Sequence, residues 1–444
     1  MRMRVMAGIL LGLAGAGSAL AQPVPPPDLP PLGLSDPPRN SPGAMPGVIV
    51  SHALQAPVEV PPPPLPIIPL PKVVAVPQSQ FVELPVVGNT PRFWAAGEVL
   101  LWWPKQQTLI PIATGNNAGF FPILGMPGTV TLIGDQSVKA AETTGGRFTL
   151  GVSLGGSNNL GIEANYLSLS TQNRCYSTAP YGPDVYAFLG IPLVKPDTNL
   201  EDFVPIRAFD QTGDVQAFTS TRVAGWEALV SMDLYEMPKF RIQGLAGYRY
   251  FLANEGLLIQ SSTDSQTFDP RAGLVLRHSV STDEVTTSNQ FRGGTLGTRA
   301  IVNVGSLFFE LDSKVSLGNC RQVVQRTGRT DATVDIPGNP ETTLSPGGVF
   351  VNPTNAGRYV SNVFAVLPET GMRIGYNFGA ARLFFGYNVI YLNQSVRPAD
   401  QLDRTIDLNS TLTGVPSPLG RPSPAIVGTE FWVQGVSFGL ELRY

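Results

Sequence analysis

Residues 431–444 read FWVQGVSFGLELRY, and that stretch decides the fold. Trp432, Val436, Phe438, Leu440, Leu442 and Tyr444 fall on one parity; Ser437, Glu441 and Arg443 fall on the other. A repeat of two residues is the side-chain period of a strand, because successive side chains point to opposite faces. One face here is apolar and the other carries charge, which suits a strand held between lipid and a wet interior.

Working back along the chain, the alternation recurs at 93–103, 145–154, 160–170, 216–234, 240–252, 287–302, 307–317, 362–378 and 382–394. In 307–317, for example, Leu307, Phe309, Leu311, Val315 and Leu317 oppose Glu310, Asp312, Lys314 and Ser316, whereas 287–302 is the least regular. The connections alternate in length. Long ones occupy 104–143, 171–215, 253–286, 319–361 and 395–429; between them lie GGSNN (155–159), YEMPK (235–239), NVGS (303–306) and GAA (379–381). The short ones predict hairpin turns. An even number of antiparallel strands, with short turns at one end and long loops at the other, is the layout of a bacterial outer-membrane barrel. The pattern therefore predicts an all-β, up-and-down barrel over 93–444 with ten strands, or twelve if 129–133 hides a further hairpin. Phe93 and Trp94 near Tyr444, and Trp102 and Trp103 level with Phe431 and Trp432, are expected to form two aromatic bands.

The segments before residue 93 differ. Arg2 and Arg4 precede an apolar run to Gly17 and the small-residue site Ala19-Leu20-Ala21, which predicts a signal peptide over 1–21. Residues 22–92 hold half of the 42 prolines and predict an extended polyproline tether in the periplasm, reaching roughly 200 Å. Charged residues make up only 14% of the chain, against about 25% in an ordinary soluble domain. Net charge is −3, which gives no basic field for nucleic acid.

Little in the chain suggests reaction chemistry. The two histidines, His52 and His278, stand far apart, and neither a Walker motif, CxxC nor a His/Cys cluster occurs, so no catalysis, metal or cofactor is expected. Cys175 and Cys320 allow one disulfide in an exported protein, or two free thiols.

The chain resembles the putative beta-barrel porin-7 family over most of 94–444. The resemblance rests on AGEVLLWW (96–103), TTGGRFTLGVSL (143–154), LGIEANYLSL (160–169), GYRY (247–250), FRGGTLGTRA (291–300) and KVSLGNCRQVV (314–324). It continues in NAGRYVSNVFAVLPETGMRIGY (355–376), FFGYNVIYL (384–392), VRPADQLDR (396–404) and the closing FWVQGVSFGLELRY. Membership implies an outer-membrane barrel of porin type. Cys320 stands where the family pattern leads one to expect a polar residue.

The polar faces place Glu98, Arg147, Glu163, Glu227, Asp233, Arg241, Arg249, Glu310, Asp312, Lys314, Glu369, Arg373, Glu441 and Arg443 toward the lumen. Two readings follow. A wet pore so lined would pass small polar solutes; charges that pair across a narrow lumen would close it, leaving an envelope anchor or surface-loop receptor. In the last long loop, Arg397, Asp400, Gln401, Asp403 and Arg404 predict a salt-bridge network that holds the loop to itself, or a solute site at the rim. Expected partners are outer-membrane lipid, small polar solutes and the barrel-assembly machinery, for which Phe438, Leu440, Leu442 and Tyr444 form the terminal signal.

Overall fold

The computed structural model describes residues 93–135, 142–155, 160–179, 185–269, 273–335 and 340–444. The signal peptide, the proline-rich tether and all but the first residue of the 155–159 turn lie outside the described residues. Ten antiparallel strands pair in chain order: β1 (Phe93–Pro104), β2 (Thr143–Gly155), β3 (Leu160–Leu169), β4 (Gln211–Met237), β5 (Phe240–Asp269), β6 (Gly273–Val304), β7 (Leu307–Asp335), β8 (Gly357–Phe378), β9 (Ala381–Val396) and β10 (Gly428–Arg443). β10 returns to β1 with Trp94 opposite Arg443. Phe93 N donates to Tyr444 O at 3.2 Å and Tyr444 N to Phe93 O at 2.8 Å, so the ring is closed to its last residue pair. Gly305 (φ 61°) and Gly379 (φ 72°) each open a two-residue hairpin turn, where a positive φ favours glycine. Among the described residues no helix is long and apolar enough to cross a membrane; the crossing is made by strands.

The strands differ greatly in height. β1, β2, β3, β9 and β10 have 10–16 residues, about what a tilted strand needs to cross the hydrocarbon. β4, β5, β6 and β7 have 27, 30, 32 and 29. The expected loop 253–286 is thus largely a correction: it continues the β5–β6 ladder pair by pair to Asp269 and Gly273. Likewise β7 runs on to Asp335, and Glu341–Pro346 pairs back onto it.

The reason is an exchange of faces at one height. In the lower part of β5, Ile242, Ala246, Tyr248 and Tyr250 point outward, whereas higher up Phe251, Ala253, Leu257 and Ile259 point inward and are buried. Lipid surrounds the lower segment and water the upper one, so apolar side chains change from the outer to the inner face.

The inward apolar face of the tall strands is covered by the remaining connections, which build a head. Thr129–Ile133, Ala113–Asn116, Phe188–Val194 and Glu201–Arg207 form a separate four-stranded sheet in that order. Residues 129–133 are therefore a strand, but of the head, and the ring keeps ten. Leu109, Ile112, Leu189, Ile191 and Leu193 from this side meet Val215, Ala217, Leu257, Ile259, Val285 and Val324 from the wall, with Phe350, Val351, Leu402 and Ile406 between them.

The expected aromatic bands are corrected by the same exchange. Phe93, Tyr444, Trp103 and Trp432 face outward, but Trp102 and Phe431 are fully buried inside the ring, and Trp94 turns inward onto Gly151. The disulfide is corrected too. Cys320 is buried inside the ring beside Phe291, Cys175 is exposed on the strand Gln172–Ser177, and both are free thiols.

Candidate functional site

The charged side chains that the sequence turns toward the lumen lie in the barrel interior, which is stacked in layers. The lowest is ionic, and strand register builds it. Glu98 stands opposite Arg147, Glu227 opposite Arg249, Arg299 opposite Asp312, Glu310 opposite Arg373, Lys314 opposite Glu369 and Arg382 opposite Glu441. Each couple joins opposite charges on neighbouring strands, the arrangement that stabilises an antiparallel pair.

The couples then reach across the lumen. Arg249 of β5 pairs with Glu369 of β8, and Lys314 of β7 with Glu227 of β4. Arg373 of β8 lies 3.1 Å from Glu98 of β1, and Arg299 of β6 lies 2.8 Å from Glu163 of β3. Asp233 with Arg241 (3.6 Å) and Glu441 with Arg443 complete the set. Eight carboxylates (98, 163, 227, 233, 310, 312, 369, 441) face eight cations (147, 241, 249, 299, 314, 373, 382, 443), so the layer carries no net charge to select an ion. The cavity among Arg147, Asn165, Glu227, Arg249 and Glu369 measures about 10 Å³, room for roughly one water.

Arg299 and Arg382 belong to this layer and were not read from the sequence. Arg299 sits in the irregular segment 287–302, where buried Phe291, Thr295 and Ile301 share its parity and blur the polar face. Its spacing of eight from Phe291 was the available signal.

Above the charges the lumen is apolar. Leu100, Trp102, Leu167, Leu169, Val223, Phe251, Phe291, Cys320, Ala365, Leu367, Ile390, Leu392, Phe431 and Val433 form one buried cluster drawn from every strand of the ring but β2. Glycines on the same inner face make room for rings: a Cβ on Gly435 would lie 2.5 Å from Trp102, and one on Gly439 would lie 2.2 Å from the Phe384 ring. Interior packing of this kind interdigitates side chains with few voids larger than a water molecule.

The rim loop binds both itself and its surroundings, so the self-contained network is corrected for Arg397 and Arg404, whose carboxylate partners lie outside the loop. Arg397 reaches inward to the Glu255 carboxylate (2.7 and 2.9 Å) and to the Lys105 and Gln106 carbonyls (both 2.7 Å), with its guanidinium 5.8 Å above Phe431. Arg404 pairs with Glu201, and Asp403 with Arg421 at 2.8 Å; burial raises Asp400 above the usual carboxylate range. Gln401 donates to the Arg397 and Val427 carbonyls. A second staple was invisible in the sequence: buried Arg326 of β7 donates to the Pro424 and Ala425 carbonyls at 2.9 and 2.8 Å and lies over Tyr359.

Inside the head, Asp283 accepts from the backbone N–H groups of Val349 (3.0 Å) and Val351 (2.7 Å), clamping the segment that carries Phe350. Burial pushes its carboxyl up to about 6 against the pull of those donors. His278 lies 2.7 Å from Asp264 on the exposed outer face of the β5–β6 hairpin. Among the described residues no group of His, Cys, Asp or Glu could hold a metal ion.

A family model described as putative beta barrel porin-7 matches residues 94–444. No curated protein matches the sequence. Among solved structures, the outer membrane protease OmpT from Escherichia coli is similar at 9% identity and a TM-score of 0.38, covering 80% of this chain and 97% of that one. The TodX deltaS2S3 mutant, a monoaromatic hydrocarbon channel, gives 7% and 0.22 over 80% and 91%. A Pseudomonas aeruginosa FadL homologue gives 8% and 0.21 over 80% and 90%.

Proposed function

The chain belongs to the putative beta barrel porin-7 family, and from that premise we propose that it is an outer-membrane barrel closed to diffusion, an envelope anchor that presents a folded head. The observation that carries this reading is the apolar layer at the height of Phe251, Phe291 and Phe431. An ion crossing it would exchange its water for Leu, Ile and Phe side chains, at a cost of several kcal/mol or more with no partner to offset it. Ten strands also lie near the size at which side chains fill a barrel.

In this reading the head sits at the cell surface and the short turns face the periplasm. The lumen charges then serve to hold the ring in one register. Phe438, Leu440, Leu442 and Tyr444, all exposed on the outer face, are the surface offered to the assembly machinery.

Conductance of the purified full chain in a planar bilayer tests the proposal. No steady current is expected, and none should appear when the 396–427 loop is shortened, because the apolar layer lies beneath it. A steady ohmic current from the unaltered chain overturns the closed-barrel reading and restores diffusion of small polar solutes.

A further inference from the structure

The arginines of the ionic layer are paired with carboxylates, but among the described residues Arg222, Arg292, Arg321 and Arg358 on the outer face are not. Arg222 of β4, Arg292 of β6 and Arg321 of β7 share the outward parity of Trp226, Tyr250 and Phe364, and among the described residues none of the three has an ionic partner. Their positions along the strands are fixed by register. Trp226, Tyr250, Arg292, Asn319 and Phe364 stand side by side across five strands. Arg321 is two residues above that line and Arg222 is four above it.

Below the line the outer face is apolar, with Tyr248, Leu296, Leu311, Val315 and Leu317 exposed. Above it come Asn254, Ser288, Gln290 and Asn362, so the line is the rim of the hydrocarbon belt. Arg292 lies 5.7 Å from the centre of the Tyr250 ring, which stacks with Trp226 at 6.3 Å. Arg292 and Arg321 are diagonal neighbours on adjacent strands, about 7–8 Å apart at their α-carbons. The first carboxylates on this face are Glu284 and Asp214, each eight residues further up its strand. Across the barrel the matching position is neutral, because Lys105 is paired with Glu430.

We propose that Arg222, Arg292 and Arg321 form a binding site for the phosphate of an anionic lipid, in the leaflet that meets the head end of the barrel. A guanidinium offers several donors in a fixed fork that matches phosphate oxygens, and at the edge of the acyl region a lipid headgroup is the anion held within reach. The aromatic pair below provides the apolar ledge for the glycerol and upper acyl carbons. The site rests on membrane residence alone and is indifferent to whether the lumen conducts.

The test uses the full chain in neutral detergent, mixed with phosphatidylglycerol, phosphatidylcholine or inorganic phosphate, with retained lipid counted by native mass spectrometry. Phosphatidylglycerol should be held in preference to phosphatidylcholine, the preference shrinking with added salt. Each guanidinium is worth about fivefold near an anionic surface, so R222Q/R292Q/R321Q should lower the preference by on the order of a hundredfold while keeping heat-modifiable mobility. Equal retention of the two lipids by the unaltered chain overturns the site, as does undiminished preference in the folded variant. Displacement of the lipid by an equal concentration of inorganic phosphate also overturns it, since the site would then be one for a free anion. Should the variant not fold, the unaltered chain's lipid preference and its salt dependence decide alone.

Discussion

Below Phe251 the barrel is filled with paired charge; above Phe251 the same strands are filled with Leu, Ile, Val and Phe. Both fillings occupy the interior, but by different physics. The ionic layer joins strand to strand in one register, since a slip of one residue would turn every buried charge into lipid. The apolar head draws on burial, which is tolerant of direction and needs only volume to be filled. Removing one charge should therefore harm the whole ring, whereas removing one head side chain should harm the head.

The largest effect is expected from Glu369→Gln. It leaves Arg249 and Lys314 buried with Glu227 as their remaining shared carboxylate, at about 3–5 kcal/mol. Denaturant unfolding in detergent, followed by heat-modifiable mobility, should show the ring opening earlier. An unchanged midpoint would mean the charges are not what holds it.

Phe350→Ala comes next, at about 3 kcal/mol for a large ring lost from a closed core. The comparison predicts a local result: protease should cut the head faster while the ring keeps its mobility. If ring and head fail together, the two regions are one cooperative unit.

The smallest effect concerns Asp283, whose carboxyl is raised to about 6 when folded. Because the folded value exceeds the unfolded one, its contribution is full below about pH 4 and is lost as pH rises through 6, by about 2–3 kcal/mol. Hydrogen exchange at the Val349 and Val351 amides should accelerate relative to the ring between pH 4 and 7. Asp283→Asn should flatten that dependence; if it does not, the titrating group lies elsewhere.

The lower barrel was legible because one rule governs it: apolar residues outward, charge inward, turns of two residues. From Leu307 to Leu317 every charge points inward and every apolar side chain but Phe308 points outward, and Phe438–Tyr444 keep the same alternation. Above the belt the rule inverts, and a reader following parity sees a strand end. At β5 the inversion falls between Tyr250 and Phe251, so residues 253–269 looked like loop although the ladder is unbroken. Trp102 and Phe431 were misplaced for the same reason. The charged residues of the wall could be sided by parity, but their partners across the lumen could not, because Arg373 and Glu98 stand 275 positions apart in the chain. Arg397 was visible as a charge in a loop; that it would seek Glu255 and not its neighbours depends on how the loop enters the mouth.

The exchange of two backbone hydrogen bonds between Phe93 and Tyr444 concerns time as much as stability. Before it forms, residues 93–104 and 428–443 are two bare sheet edges, each able to recruit a strand from a neighbouring chain. Every other pairing in the ring joins strands close in sequence or already aligned, while this one must gather the two ends of a 350-residue span. The yield of correctly formed molecules is then governed by how quickly those edges find each other, a race that the stability of the finished ring does nothing to win.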